Sequence, residues 1–285
     1  MLLTPRYEGP PVLRFTGPVS DLSVPLLRQR RRTGAFMASL DDAQWASATR
    51  CEGWSVRDVI AHLVGTDQFW VVSATAAIAG TPTRYLAAFD PVVTPAQMVS
   101  GTRDVAPAEI LATYLDGIEA LGDVLTGLDD AQWSLPAEAP PGHVPLHALA
   151  RHALWDAWIH ERDIVLPLGG DPIEEPDEVR ASLQYAAALG PALLATTGTS
   201  RPGTLVLDGT DPEAHVVVEA GETVVVSDAT PSGGTAPSDA VRLAGRSVEL
   251  VEALSLRAPF PRAIAEDERW LFAGLASAFD QAPQG

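Results

Sequence analysis

Lysine is absent from this 285-residue chain, so all 19 of its basic residues are arginines. Without lysine there is no Schiff-base chemistry, no lysine general base and no phosphate-loop lysine. The same absence suits a GC-rich genome, because lysine codons are AT-rich. Basic charge of any kind is scarce. With 37 acidic residues the formal net charge is −18 and the sequence pI is ≈ 4.6, which excludes the basic stripe of a phosphate-backbone binder and with it a nucleic-acid partner. Cysteine is limited to Cys51, which excludes an internal disulfide and fits a reducing cytosol. The opening MLLTPRYEGPPVLRF lacks the charged-then-apolar order of a signal peptide. The longest uncharged stretch, Ala181 to Ser200, is interrupted at Gly190-Pro191 and falls short of the roughly 20 apolar residues of a membrane span. These absences predict a cytoplasmic protein with no membrane partner, and leave monomer and homodimer equally open.

What is present suffices for more than one core, since 46% of the residues are hydrophobic and domains cluster at about 100–150 residues. Residues 1–21, rich in Pro and Gly, read as an extended arm. From Leu22 a helical rhythm runs to LDDAQW at Leu40–Trp45, and the same hexapeptide returns at Leu128–Trp133. Ser55 with Asp58 three residues on is a capping box, which predicts a helix from Ser55 to about Ile78. The loop from Pro82 to Pro95 is a candidate pocket wall. A 3.6-residue rhythm predicts a helix over about Pro107–Thr126 and another over about Leu146–Val165. Each LDDAQW therefore ends one long helix and turns toward the next, with its Asp residues capping and its Trp plugging the end of the bundle. Two such hairpins make a four-helix bundle over residues 22–171. A helix broken at Gly190-Pro191 then leads into Val-rich runs at Thr204–Leu207, His215–Glu219 and Thr223–Ser227. Helix is expected again over Ala240–Leu256 and Trp270–Phe279. Residues 172–285 thus read as a small α+β domain, and the chain as α+β overall.

Two helices carry titratable residues on an inward face. In RDVIAHLVG, His62 points along the apolar side. RHALWDAWIHERD sets His152, Asp156 and His160 at i, i+4 and i+8, one stripe whose members are neighbours on the helix surface. One His from the first helix with a carboxylate and a His from the second supplies three metal ligands and leaves coordination positions open, the pattern of catalysis or ligand binding rather than of a structural clamp. Glu161, Arg162 and Asp163, rotated off that stripe, read as a solvated face of ion pairs, with Asp163 near enough to support a ligand. Cys51 reads as a small buried residue at a helix entry. Of the tryptophans at helical spacing, Trp54 and Trp158 are candidates to line the pocket. A substrate carboxylate needs a cation, which without lysine must be arginine, and Arg84 in the aromatic loop is one candidate.

RCEGWSVRDVIAHLV together with LWDAWIHERDI resembles the mycothiol-dependent maleylpyruvate isomerase family, within the DinB-like superfamily of metal-binding four-helix bundles. The resemblance covers most of the chain and implies a DinB-like bundle followed by a small α+β domain similar to sterol carrier proteins. It implies a divalent metal, usually zinc, on His62 and on a Glu-x-x-x-His pair. Here the His of that pair is His160 and the Glu position is Asp156, one methylene shorter, with His152 as a reserve ligand. It also implies mycothiol as thiol cofactor or co-substrate, and Arg257 as an arginine facing the site. The expected function is a metal-dependent enzyme in which a bound thiolate adds to an electrophilic small molecule, as isomerase or thiol S-transferase. A metal- or ligand-binding bundle without turnover, and a metal hydrolase, are the competing readings.

Overall fold

The first long helix owes its place to charge as much as to apolar burial. The computed structural model describes residues 2–18, 21–228 and 237–279. After strand β1 (Leu13–Phe15), helix α1 (Ser23–Met37) buries Leu26 and Met37 together with Arg30, whose guanidinium meets Asp67 at 2.6 Å. The hexapeptide repeat forms α2 (Asp42–Trp45) and α6 (Asp130–Trp133). In each, the preceding Asp caps the turn. Asp41 accepts from the Gln44 amide and Asp129 from the Gln132 amide, both at 2.8 Å, while each Gln side chain accepts from its Asp amide at 3.0 Å. Trp45 and Trp133 go into the core, so the same six residues build the same plug twice.

Helix α3 (Val56–Ile78) starts at the capping box, with the Ser55 amide donating to Asp58 at 2.9 Å. The aromatic loop leads to α4 (Val93–Ser100), and α5 (Pro107–Leu125) starts on a proline whose missing N–H would have been unpaired in any case. PAEAPPGHVP, which reads as loop punctuation, is a hairpin of β2 (Pro136–Ala139) and β3 (Gly142–Pro145). It carries the buried Glu138, which accepts from Tyr7 at 2.6 Å and from the Tyr85 and Leu86 amides. The arm and the aromatic loop are thereby tied to one carboxylate. Helix α7 (Leu146–Val165) completes a ring in which α1, α5, α3 and α7 each pack on the next.

Helix α8 (Pro176–Thr196) joins this bundle to the second layer and runs unbroken through Pro191, contrary to the break expected at Gly190-Pro191. A mid-helix proline costs about 3 kcal/mol, but Leu183, Leu189 and Leu193 are all buried here, and each buried leucine contributes about 1.5–3 kcal/mol. The sheet consists of β4 (Gly203–Thr210), β5 (Ala214–Ala220), β6 (Val224–Ser227) and β7 (Val241–Arg246), with the arm strand β1 at its far edge, in the order β1-β6-β5-β4-β7. The Ala240–Leu256 stretch is corrected by the structure. Its first part alternates buried Val241 and Leu243 with exposed Arg242 and Ala244, period two rather than 3.6, and pairs in parallel with β4. Only α9 (Ser247–Leu254) is helical there. Helix α10 (Trp270–Ala278) closes on α8 where Gly190 and Gly274 let the backbones touch: a Cβ on Gly274 would lie 1.9 Å from the Gly190 carbonyl oxygen. Among the described residues no helix is long and apolar enough to cross a membrane.

Candidate metal centre

Helices α3 and α7 cross so that His62, Asp156 and His160 meet in the bundle interior. His62 Nε2 lies 3.4 Å from Asp156 Oδ2 and His160 Nε2 lies 3.5 Å from Asp156 Oδ1, with the two imidazoles edge to face at 5.0 Å. Neither carboxylate contact is a hydrogen bond of normal length, and both Asp156 Oδ2 and His62 Nδ1 are buried without a hydrogen-bond partner among the described residues. Buried polar atoms are rarely left so. Ligand atoms about 2.0–2.1 Å from a tetrahedral zinc are about 3.4 Å from one another, which is the spacing of these contacts. The donor set of two imidazoles and a carboxylate therefore fits a divalent metal. Burial opposes ionisation of Asp156, yet the imidazoles of His62 and His160 hold its carboxyl well below the ordinary range.

His160 is shared with a second cluster on its opposite nitrogen. Its Nδ1 lies 3.0 Å from Asp163 Oδ2 and 3.5 Å from Cys51 Sγ, and the Cys51 thiol donates to Asp163 Oδ2 at 3.1 Å. Cys51, His160 and Asp163 thus form a hydrogen-bonded support behind His160, and they are a second group whose donor atoms could hold a metal ion. Cys51 is brought there by the 49–54 turn, where the Arg50 amide donates to the Asp163 carbonyl at 3.1 Å and the Trp54 amide to the Cys51 carbonyl at 3.0 Å.

Asp163, expected on a solvated face, is fully buried, as are Glu161 and Arg162. The correction has a simple cause: α7 is covered on all sides, by α1, α3, α8 and the hairpin, so it has no solvated face to offer. Each charge instead meets a distant partner. Arg32 pairs with Glu161 at 2.7 Å, and Arg162 with Glu252 at 2.7 Å. Asp163 collects Arg50 Nε at 3.0 Å and Arg257 Nε at 2.9 Å. Against the effect of burial, His160 and Arg257 hold the Asp163 carboxyl far below the usual range. Burial likewise opposes charge on His160, but the Cys51 sulfur and Asp163 push its pKa well up.

The remaining candidates divide. Arg257 follows Leu256, whose φ of 61° turns the chain out of α9, and its Nη2 lies 3.5 Å from Cys51 Sγ. Trp54 packs on His62 with ring centres 5.4 Å apart. His152 is held elsewhere: its Nδ1 shares a hydrogen bond of 2.7 Å with the Tyr185 hydroxyl, its ring lies against Trp70, and burial lowers its pKa to about 4. Trp158 is buried beneath the Arg162 guanidinium, and Arg84 pairs with Glu8 at 2.7 Å over the Tyr7 ring; neither is joined to the cluster. Arg50 escaped the sequence reading altogether, because nothing local links it to a residue 113 positions away.

Residues 26–165 match the family described as the mycothiol maleylpyruvate isomerase N-terminal domain. Among solved structures, the fold is similar to that of the mycothiol-dependent maleylpyruvate isomerase, at 15% identity and a TM-score of 0.57, over 85% of this chain and 90% of that one. A mutant of that enzyme with one histidine replaced by alanine gives 14% identity and a TM-score of 0.58 over the same shares. No curated protein matches the sequence.

Proposed function

We propose, on the premise that the bundle of residues 26–165 belongs to the mycothiol maleylpyruvate isomerase N-terminal family, that the protein is a metal-dependent, thiol-using isomerase of a small electrophilic substrate. The observation that carries this is the buried His62, Asp156 and His160 group, whose candidate ligand atoms lie within 4.8 Å of one another and whose Asp156 Oδ2 has no hydrogen-bond partner among the described residues. A divalent cation held by His62, Asp156 and His160, zinc in this reading, would supply a Lewis acid that lowers the pKa of a bound thiol, so that thiolate would be present at neutral pH. Mycothiol is the thiol this reading assigns.

The chain's own residues prepare that chemistry. Asp163 accepts from His160 Nδ1 and so fixes Nε2 as the nitrogen turned toward Asp156, the second-layer contact by which ligating histidines are oriented. Arg50 and Arg257 keep Asp163 ionised. Arg257 is a positioning residue in this arrangement, acting on His160 through Asp163, and its guanidinium beside Cys51 is a cation this reading offers to a substrate carboxylate. Trp54 covers one side of His62 and excludes water from it.

The test begins with elemental analysis of untagged wild type and His160→Ala, each then titrated with zinc. Near-stoichiometric metal in the wild type and its loss in the variant are expected. The loaded enzyme is next given maleylpyruvate with mycothiol, and isomerisation without net consumption of thiol is expected. One thiol consumed per turnover would identify an S-transferase instead. No metal uptake by wild type even in added zinc would overturn the proposal.

A further inference from the structure

Three arginines are buried among the described residues: Arg30, Arg151 and Arg162. Arg30 is neutralised by Asp67 and Arg162 by Glu252. Arg151, only 7% exposed, is different. Its Nε donates to Gln184 Oε1 at 2.9 Å and its Nη1 to the His147 carbonyl at 3.1 Å, with His147 Nδ1 3.3 Å away. Its guanidinium lies 4.5 Å from the centre of the Phe15 ring. Every hydrogen bond it makes among the described residues goes to a neutral acceptor. Burying a cation without a counter-charge is strongly unfavourable, and the strain registers as a pKa lowered by burial to about 10, against the pull of Asp228.

Arg151 lines a cleft of about 310 Å³ between the arm, the start of α1, α7, α8 and β6. The carboxylates around it are engaged with other groups: Asp21 accepts from Ser23, Asp177 pairs with Arg28, and Asp228 accepts from Gln184. His147 is uncharged, since burial and the adjacent Arg151 lower its pKa to about 4. The cleft therefore presents one buried positive charge beside apolar surface from Phe15, Leu22, Pro25 and Val226, inside a rim of Asp21, Asp177, Asp228 and the exposed Arg180, whose Nε donates to the Glu213 carbonyl at 2.9 Å.

We propose that this cleft binds a small organic monocarboxylate, with the carboxylate on Arg151 and the apolar body against Phe15, Leu22 and Val226. The three carboxylates of the rim, Asp21, Asp177 and Asp228, outnumber its one exposed arginine, Arg180, and so disfavour a dianion such as phosphate, while a neutral molecule leaves the Arg151 charge uncompensated. The site is separate from the metal cluster. Arg151 and His160 are nine residues apart on one helix, which sets them about 180° around it and about 14 Å along it.

Calorimetric titration of the full-length protein with benzoate and with hexanoate tests the assignment, using benzyl alcohol and inorganic phosphate as controls. Saturable binding of the carboxylates and none of the controls is expected. Arg151→Gln should weaken it at least tenfold. Val24→Trp, at an exposed position on the cleft wall, should do the same without disturbing the core, which keeps the test decisive if the buried variant does not fold. Asp228→Asn should tighten binding, and His160→Ala should leave it unchanged. The proposal is overturned if no carboxylate saturates the wild type, or if binding survives Val24→Trp. Preference for phosphate, or loss of carboxylate binding in His160→Ala, would overturn it as well.

Discussion

His160 Nδ1 and Asp163 Oδ2 stand 3.0 Å apart, three residues along the same helix, and this contact decides which nitrogen of His160 faces Asp156. Replacing Asp163 with Asn removes the charge that fixes the tautomer and leaves Arg50 and Arg257 without their shared carboxylate. Metal affinity should fall about 10–100-fold, and stability should drop by about 3–5 kcal/mol as for other broken buried pairs. Zinc titration against a competing chelator reads the first effect, and urea unfolding the second.

Asp156→Ala and His152→Gln should separate two neighbours on one stripe. Asp156 faces both imidazoles, so its removal should abolish stoichiometric metal. His152 is engaged by Tyr185 at 2.7 Å, so its replacement should leave metal content intact while lowering stability. Equal loss of metal in both variants would show that His152 ligates.

Acid should destabilise the fold through its buried histidines. Burial lowers both His147 and His152 from 6.5 to about 4. Between those values the unfolded chain binds protons at these two positions that the folded chain refuses, so their contribution to stability is complete above about pH 6.5 and is lost as pH falls toward 4. Each histidine accounts for about 3 kcal/mol at most. Urea midpoints measured from pH 7 to pH 4.5 should fall steadily, and less steeply in His147→Gln.

The Arg30–Asp67 pair joins α1 to α3 entirely out of solvent. Asp67→Asn should cost about 3–5 kcal/mol, whereas Arg30→Met with Asp67→Leu should be close to neutral. A double-mutant cycle by denaturant unfolding checks the difference.

The four bundle helices and the His152, Asp156, His160 stripe were legible because helical periodicity is a local property. So was the double role of LDDAQW, since a cap and a plug are made within six residues. The burial of Asp163, though not its support of a ligand, was misread because periodicity says which residues share a face and not whether that face meets water; Arg50 and Cys51 of the 49–54 turn and Arg257, which cover it, lie outside any local window. The partners of Asp163, at Arg50 and Arg257, are brought in by tertiary packing alone. Strand β7 was taken for helix because VRLAGR is too short for its alternation to stand out beside the true helix that follows.

The arm strand β1 pairs with β6, Leu13 opposite Val224, in parallel. During synthesis β1 must therefore wait while more than 200 further residues are made, roughly 10–40 s at ordinary translation rates. The bundle has time to form in that interval, with the arm's Tyr7 already able to find Glu138. That edge of the sheet closes only when β6 has been made and comes back to the arm.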